Sequence, residues 1–138
     1  MTKKYYLDAC IWRDYFEGRV DRFRPLGEWA FRLIKKIIAE EGLFLITDAL
    51  IEELENFYSF TELERLFKIV PVDLMVLLGS NKYQVEEALQ TSKQMHIPRK
   101  DALHAILARD NDAVLITRDK HFDNLPVQFE VKKPEDLI

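Results

Sequence analysis

"GLFLITDALIEELENF", residues 42–57, decides the fold. Its first half is an unbroken apolar run of strand length, the pattern of a parallel strand buried on both faces. Its second half returns to the helical period, with Thr47 or Asp48 placed to cap its start. A strand hands over directly to a helix, and repetition of that unit builds a parallel sheet joined by right-handed crossovers.

Outward from this stretch the alternation continues. "KYYLDA", residues 4–9, reads as a short aromatic strand ending on Asp8. In "PLGEWAFRLIKKIIAEEG" the positions Trp29, Leu33, Ile34, Ile37 and Ile38 follow the helical period, with Gly42 as the expected stop. Downstream come a charged helix around "FTELERLF", a strand-like run "FKIVPV", a helix through "NKYQVEEALQTSKQM" and another opened by Pro98. "AVLIT" is the next strand and "VQFEV" a weaker last one. The expected fold class is therefore α/β, with a parallel sheet of about five strands between helices. In such sheets ligands bind beyond the carboxyl ends of the strands, near the switch point.

The chain's 138 residues suit a single domain, residues 1–138, large enough to bury a core unaided. With 48% hydrophobic and 32% charged residues it has the composition of an ordinary globular protein. One cysteine, Cys10, excludes an intrachain disulfide and a cysteine-based zinc site, and suits a reducing compartment. No signal-peptide pattern or membrane-length apolar run is present, so a cytoplasmic location is expected. The net charge of −4 is uneven. Residues 1–36 hold nine basic against five acidic residues, and residues 37–67 one against eight. The first segment can approach phosphates; the second repels them unless cations intervene.

Placed on this map, the acids converge. Asp8 ends the first strand, and Glu52 and Glu53 lie early in the helix after the second. Asp101 opens the helix after Pro98, and Asp119 follows "AVLIT" by two residues. Crowded carboxylates need compensation by a divalent cation or by Arg and Lys. Oxygen ligands select hard ions such as Mg²⁺ or Mn²⁺ over zinc. Singly, each acid also suits a turn or a helix cap. His104, one turn beyond Asp101, is more often a structural histidine than a ligand. A Cys10 nucleophile with His104 or His121 as base lacks any accompanying oxyanion motif, and no phosphate-loop glycine pattern occurs.

These stretches resemble the PIN domain nucleases, and within them the VapC-type toxins of toxin–antitoxin pairs. "YYLDACIW" is similar to the opening strand with its first Asp. "ITDALIEELENF" resembles the second motif, matching Glu53, with Glu52 as fallback. "DALHAILA" resembles the third, matching Asp101, with His104 where members often carry His. "LITRDKHF" resembles the fourth, pointing to Asp119, with Thr117 in support and Asp123 as a further metal ligand. The likeness spans residues 4–137, departing at Ala9 and Cys10, where many members have Thr and then Asn or Ser.

The resemblance implies a PIN-like three-layer fold and a Mg²⁺- or Mn²⁺-dependent ribonuclease, usually dimeric and often held by an antitoxin. Asp8, Glu53, Asp101 and Asp119 would be the ligands, one ion acidifying a water and another steadying the leaving oxygen. Arg13, Arg99, Lys100, Arg118 and Lys120 are candidate RNA contacts by closeness in sequence. Trp12 and Phe16 could stack on a base, line a partner groove or belong to the core. One alternative is a PIN-like module that binds RNA or protein without efficient chemistry, in keeping with the Ala9–Cys10 departure. Another is a phosphoacceptor receiver domain using Asp73, with Thr117 and Lys132 as switch residues.

Overall fold

A computed structural model describes residues 2–138. In chain order the elements are β1 (Lys4–Leu7), α1 (Ala9–Glu17), α2 (Leu26–Ala39), β2 (Leu43–Thr47), α3 (Asp48–Leu54) and α4 (Phe60–Phe67). There follow β3 (Met75–Leu78), α5 (Lys82–Met95), α6 (Arg99–Asp110), β4 (Ala113–Ile116) and β5 (Val131–Lys132). The five strands form one sheet in the order β3-β2-β1-β4-β5, and every neighbouring pair is parallel. This is the expected α/β architecture, a parallel sheet of five strands with helices flanking it.

The order explains where a site can form. From β1 the chain steps to β2 and then β3 on one side, and returns through α5 and α6 to β4 on the other. Right-handed crossovers then put α1 to α4 on one face and α5 with α6 on the opposite one. The direction reverses between β1 and β4, so their carboxyl ends flank a crevice. Asp8 follows β1 at that crevice, where its N–H bonds the Ile116 carbonyl at 2.9 Å. Thr117 follows β4 at the same level.

Tyr6 and Leu7 of β1, Phe44 to Ile46 of β2 and the whole of β4 are buried, as the apolar runs require. Trp12 is fully buried between Phe44 and Phe67, at ring-centroid distances of 6.0 and 5.0 Å. That makes it a core residue whose truncation to Ala would cost about 3–5 kcal/mol. Phe16 is only partly buried and packs edge-on against Tyr58 at 5.3 Å.

One helix was not expected and three expectations need correction. After β1 the chain enters α1 directly, capped by Asp8, which accepts from Ala9 N at 2.8 Å. The third strand is not "FKIVPV" but Met75–Leu78, because Pro71 lacks the N–H a ladder needs and a 3₁₀ turn at Val72–Leu74 intervenes. Of the last run only Val131 lies in a strand, and Lys132, just beyond the run, completes β5. After α2 the left-handed residue is Glu41, and Gly42 serves close packing: a Cβ there would come within 2.9 Å of Ile37 Cγ2.

The shifted third strand also removes the receiver reading. Asp73 precedes β3 instead of following it, so it lies exposed at the amino edge of the sheet, away from Asp8 and Thr117. Lys132 lies within β5 itself, with its side chain exposed.

Candidate active site

Each acid reaches the crevice because a local device holds it there. Thr47 ends β2 and caps α3, its Oγ1 accepting from Leu50 N at 3.1 Å. That start fixes the helical phase, so Glu53 turns toward the sheet half-buried while Glu52 stays exposed. Pro98 opens α6, which brings Asp101 into its first turn, buried, and His104 one turn later, 1% exposed. Asp119 caps the 3₁₀ turn Lys120–Phe122, accepting from His121 N at 2.9 Å.

Two carboxylate–imidazole trios result. Asp8, Glu53 and His104 offer one donor atom each within 4.8 Å of one another, and so do Asp101, Asp119 and His121. Thr117 ties them together. Its hydroxyl donates to Asp8 Oδ2 at 2.8 Å while its oxygen accepts from Asp119 N at 3.0 Å. Asp123 closes the 3₁₀ turn with its side chain exposed, outside both trios.

A buried chain of hydrogen bonds sets the first trio. Tyr6 OH lies 2.6 Å from both Thr47 Oγ1 and His104 Nδ1, and His104 Nε2 lies 3.2 Å from Glu53 Oε2. Burial, more than its neighbours, pushes the Tyr6 hydroxyl well above its ordinary pKa, so it stays protonated and can donate. With neutral His104, Thr47 donates to Tyr6, Tyr6 to Nδ1, and Nε2–H to Glu53; as the imidazolium, which its raised pKa favours, Nδ1–H donates to Tyr6 and Tyr6 to Thr47, and Nε2–H still donates to Glu53. Both ring nitrogens are engaged, so His104 orients Glu53 and offers no free lone pair.

The electrostatics are those of a crowded acidic site. Burial raises the Asp8 carboxyl above its ordinary range; His104, Thr117 and Ala9 pull it down, and Glu53 adds to the rise. Burial likewise raises Asp101, helped by Asp119 and Asp8 and opposed by His121. The hydrogen bond from His104 lowers Glu53. Burial disfavours His104 imidazolium, yet the Glu53 hydrogen bond and the field of Asp8 leave its pKa raised. His121 is raised mainly by its 2.6 Å bond to Asp101, with Asp119 Oδ1 at 3.1 Å. In the metal-free protein its half-exposed ring bridges the two acids whose charges need a cation. Four carboxylates with two raised by burial make a donor set that fits a hard divalent ion. The imidazoles narrow the oxygen-only expectation without overturning it.

The basic candidates divide. Arg99 and Lys100 are exposed and line a cleft of about 200 Å³ beside Glu53 and His104. Lys120 is exposed next to Asp119. Arg13 is partly engaged, with Glu17 at 3.1 Å and its guanidinium 3.6 Å from the Phe57 ring centre. Arg118, expected to contact RNA, is instead largely buried, paired with Asp14 at 3.4 Å and Glu135 at 2.8 Å. It braces the rim because two acids from α1 and the C-terminal segment enclose it.

Cys10 contacts Asp8 Oδ2 and Thr117 Oγ1, both at 3.7 Å, and no imidazole. Burial and the Asp8 charge push its thiol up to about 12, which removes the nucleophile reading. The sequence pointed to Thr47 only as a helix cap, gave no sign of Tyr6 and gave His121 no place beside the acids. Only His121 left a signal of a place at the site, two residues after Asp119.

Comparison with known proteins agrees with the fold. The PIN domain family matches residues 5–128. No curated protein matches the chain. Among solved structures, VapBC2 from Rickettsia felis bound to a DNA fragment from their promoter superposes with a TM-score of 0.68 at 14% identity, over 94% of this chain and 98% of that one. A toxin–antitoxin complex from Klebsiella pneumoniae gives 0.63 at 16% identity, over 94% and 97%. At these identities the likeness is one of fold. Nine-tenths of the described chain lies within the family match, and the chain belongs to the PIN domain family.

Proposed function

We propose that this protein is a metal-dependent endoribonuclease and the toxin of a toxin–antitoxin pair, working as one PIN-like domain over residues 1–138. The observation that carries the reading is the pair of carboxylate trios joined through Thr117 at the switch point. Family membership and the fold shared with the Rickettsia felis and Klebsiella pneumoniae complexes support the nuclease and antitoxin parts. A homodimer and a cytoplasmic setting complete the proposal.

Asp8, Glu53, Asp101 and Asp119 would hold Mg²⁺ or Mn²⁺, directly or through water. The ion would supply water activation and neutralise charge on the scissile phosphate. His104 and Tyr6 hold Glu53 in place, and Thr117 holds Asp8. Arg99, Lys100 and Lys120 draw phosphates to an edge the acids would otherwise keep clear. The Ala9–Cys10 departure does not leave Asp8 bare, since Ala9 N and Thr117 each donate to it at 2.8 Å.

The test is cleavage of end-labelled single-stranded RNA in Mn²⁺ or Mg²⁺, beside EDTA and Asp8→Asn controls. Cleavage lost in both controls is the expected outcome. Its absence in a folded, partner-free protein would shift the reading to a binding module.

A further inference from the structure

The loop between α1 and α2, "GRVDRFRP", was not among the RNA contacts expected from the sequence, and it contains the most exposed aromatic of the chain. Phe23 is 99% exposed. It is not on a slack segment. Asp21 N donates to the Arg24 carbonyl at 3.0 Å, Arg24 N returns to the Asp21 carbonyl at 2.8 Å, and the two side chains form an ion pair. Arg22 sits in the left-handed region at φ +53°, where a non-glycine residue costs of order 1 kcal/mol or more. Backbone bonds and an ion pair outweigh that strain and hold a phenyl ring out in water, between two arginines.

The charges around the ring are not equivalent. Arg24 is paired with Asp21, and Arg19 with Asp14 at 3.5 Å. Arg22 has no ion pair among the described residues and is exposed. An unpaired guanidinium next to an exposed aromatic is the combination that single-stranded nucleic acid uses, base on ring and phosphate on cation.

The turn also stands at the right edge. α1 starts directly after its cap Asp8 and, at nine residues, carries the chain only about 13 Å from it. Gly27 N then bonds the Arg19 carbonyl at 2.9 Å, and Arg19 N the Asp14 carbonyl at 3.0 Å, closing the loop back onto α1. Gly27 permits this contact, since a Cβ would lie 2.6 Å from the Asp14 carbonyl oxygen. Asp14 pairs with Arg118, whose neighbour Thr117 holds Asp8. The Arg118 guanidinium packs over Trp29 in the first turn of α2, 5.6 Å from the ring centre. The base of the loop is thus tied to the wall of the acidic crevice.

We infer that the turn 21–24 is a single-stranded RNA site, in which Phe23 stacks on an unpaired base and Arg22 takes an adjoining phosphate, a few nucleotides from the acidic centre. This rests on the ribonuclease reading and deepens it, because a stacking ring outside the crevice selects unpaired RNA over duplex. Every base presents a π-face, so this contact gives grip and leaves sequence choice to other residues.

The experiment is fluorescence anisotropy of a labelled mixed-sequence single-stranded RNA in EDTA, for wild type, Phe23→Ala, Phe23→Trp and Arg22→Ala, with cleavage followed in Mn²⁺. Phe23→Ala should weaken binding about 5- to 100-fold and Phe23→Trp should restore it. Arg22→Ala should lower the slope of log affinity against log salt by about one. Cleavage of a dinucleotide, too short to reach the turn, should be unchanged in Phe23→Ala while KM for the long RNA rises. If wild type cleaves RNA but Phe23→Ala binds the long RNA equally well, the turn assignment falls alone and the ring is left to a protein partner. If wild type neither binds nor cleaves RNA, the ribonuclease reading falls and takes the turn with it.

Discussion

The Thr117 hydroxyl donates to Asp8 at 2.8 Å across the crevice between β4 and β1, and its oxygen accepts from Asp119 N at 3.0 Å. One side chain therefore sets the positions of acids from two strands. Thr117→Val keeps the volume but leaves a buried carboxylate oxygen without its donor. A hydrogen bond to a charged group contributes about 1.5–3 kcal/mol, so urea unfolding in EDTA should show a loss of that order. Thr117→Ser should be near wild type. Equal stability of all three proteins would show that the bond has no such role.

Tyr6→Phe removes the hydroxyl between Thr47 and His104 while keeping the ring in the core. Because His104 then loses the partner that fixes its tautomer, Glu53 is held less well. Weakening of divalent binding by about 10- to 100-fold is expected, with every carboxylate still present. Calorimetric titration with Mn²⁺ checks it, and an unchanged affinity would remove Tyr6 and His104 from the account.

His121 supplies a pH signature. Its pKa in the folded, metal-free protein is raised by Asp101 and then Asp119. Its contribution to stability is therefore complete below the unfolded value of about 6.5 and is lost as the pH rises through the higher folded value. NMR titration of the ring protons should place it above the ordinary histidine range, and Asp119→Asn or added Mg²⁺ should bring it down. A His121 that titrates normally and ignores both changes contradicts the bridging geometry.

Cys10 should behave as an inert thiol. With a pKa of about 12, only about one molecule in 10⁴ carries the thiolate at pH 8. Iodoacetamide should label the native protein far more slowly than the urea-unfolded chain. Labelling at equal rates would reopen a nucleophilic role.

The parts of the fold that could be read in advance were those where burial writes a long pattern. β2 is apolar up to its last residue, Thr47, because both its faces are covered, and α2 carries one buried stripe. Asp8, Glu53, Asp101 and Asp119 could be placed because each lies within a few residues of such a pattern. α1 was hidden because its cap, Asp8, also looks like a strand-ending turn residue. β3 was hidden because it is a short edge strand with Leu77 73% exposed, while the longer strand-like run "FKIVPV" preceding it forms the end of α4 and a turn. Tyr6 looked like an ordinary strand residue and Thr47 only like a helix cap, and the buried hydroxyl chain between them exists only after β1 and β2 pair. Arg118 was misplaced for the converse reason: its partners Asp14 and Glu135 are distant in sequence and close only in the fold.

The central claim, that acids from four separate elements make one divalent centre, is tested most directly by Mn²⁺ titration of wild type, Asp8→Asn, Glu53→Gln, Asp101→Asn and Asp119→Asn, followed by electron paramagnetic resonance. Wild type should bind Mn²⁺ and each variant should lose at least about tenfold in affinity with its circular dichroism unchanged. A wild type that leaves Mn²⁺ free in solution, or four variants that bind it as wild type does, would contradict the account.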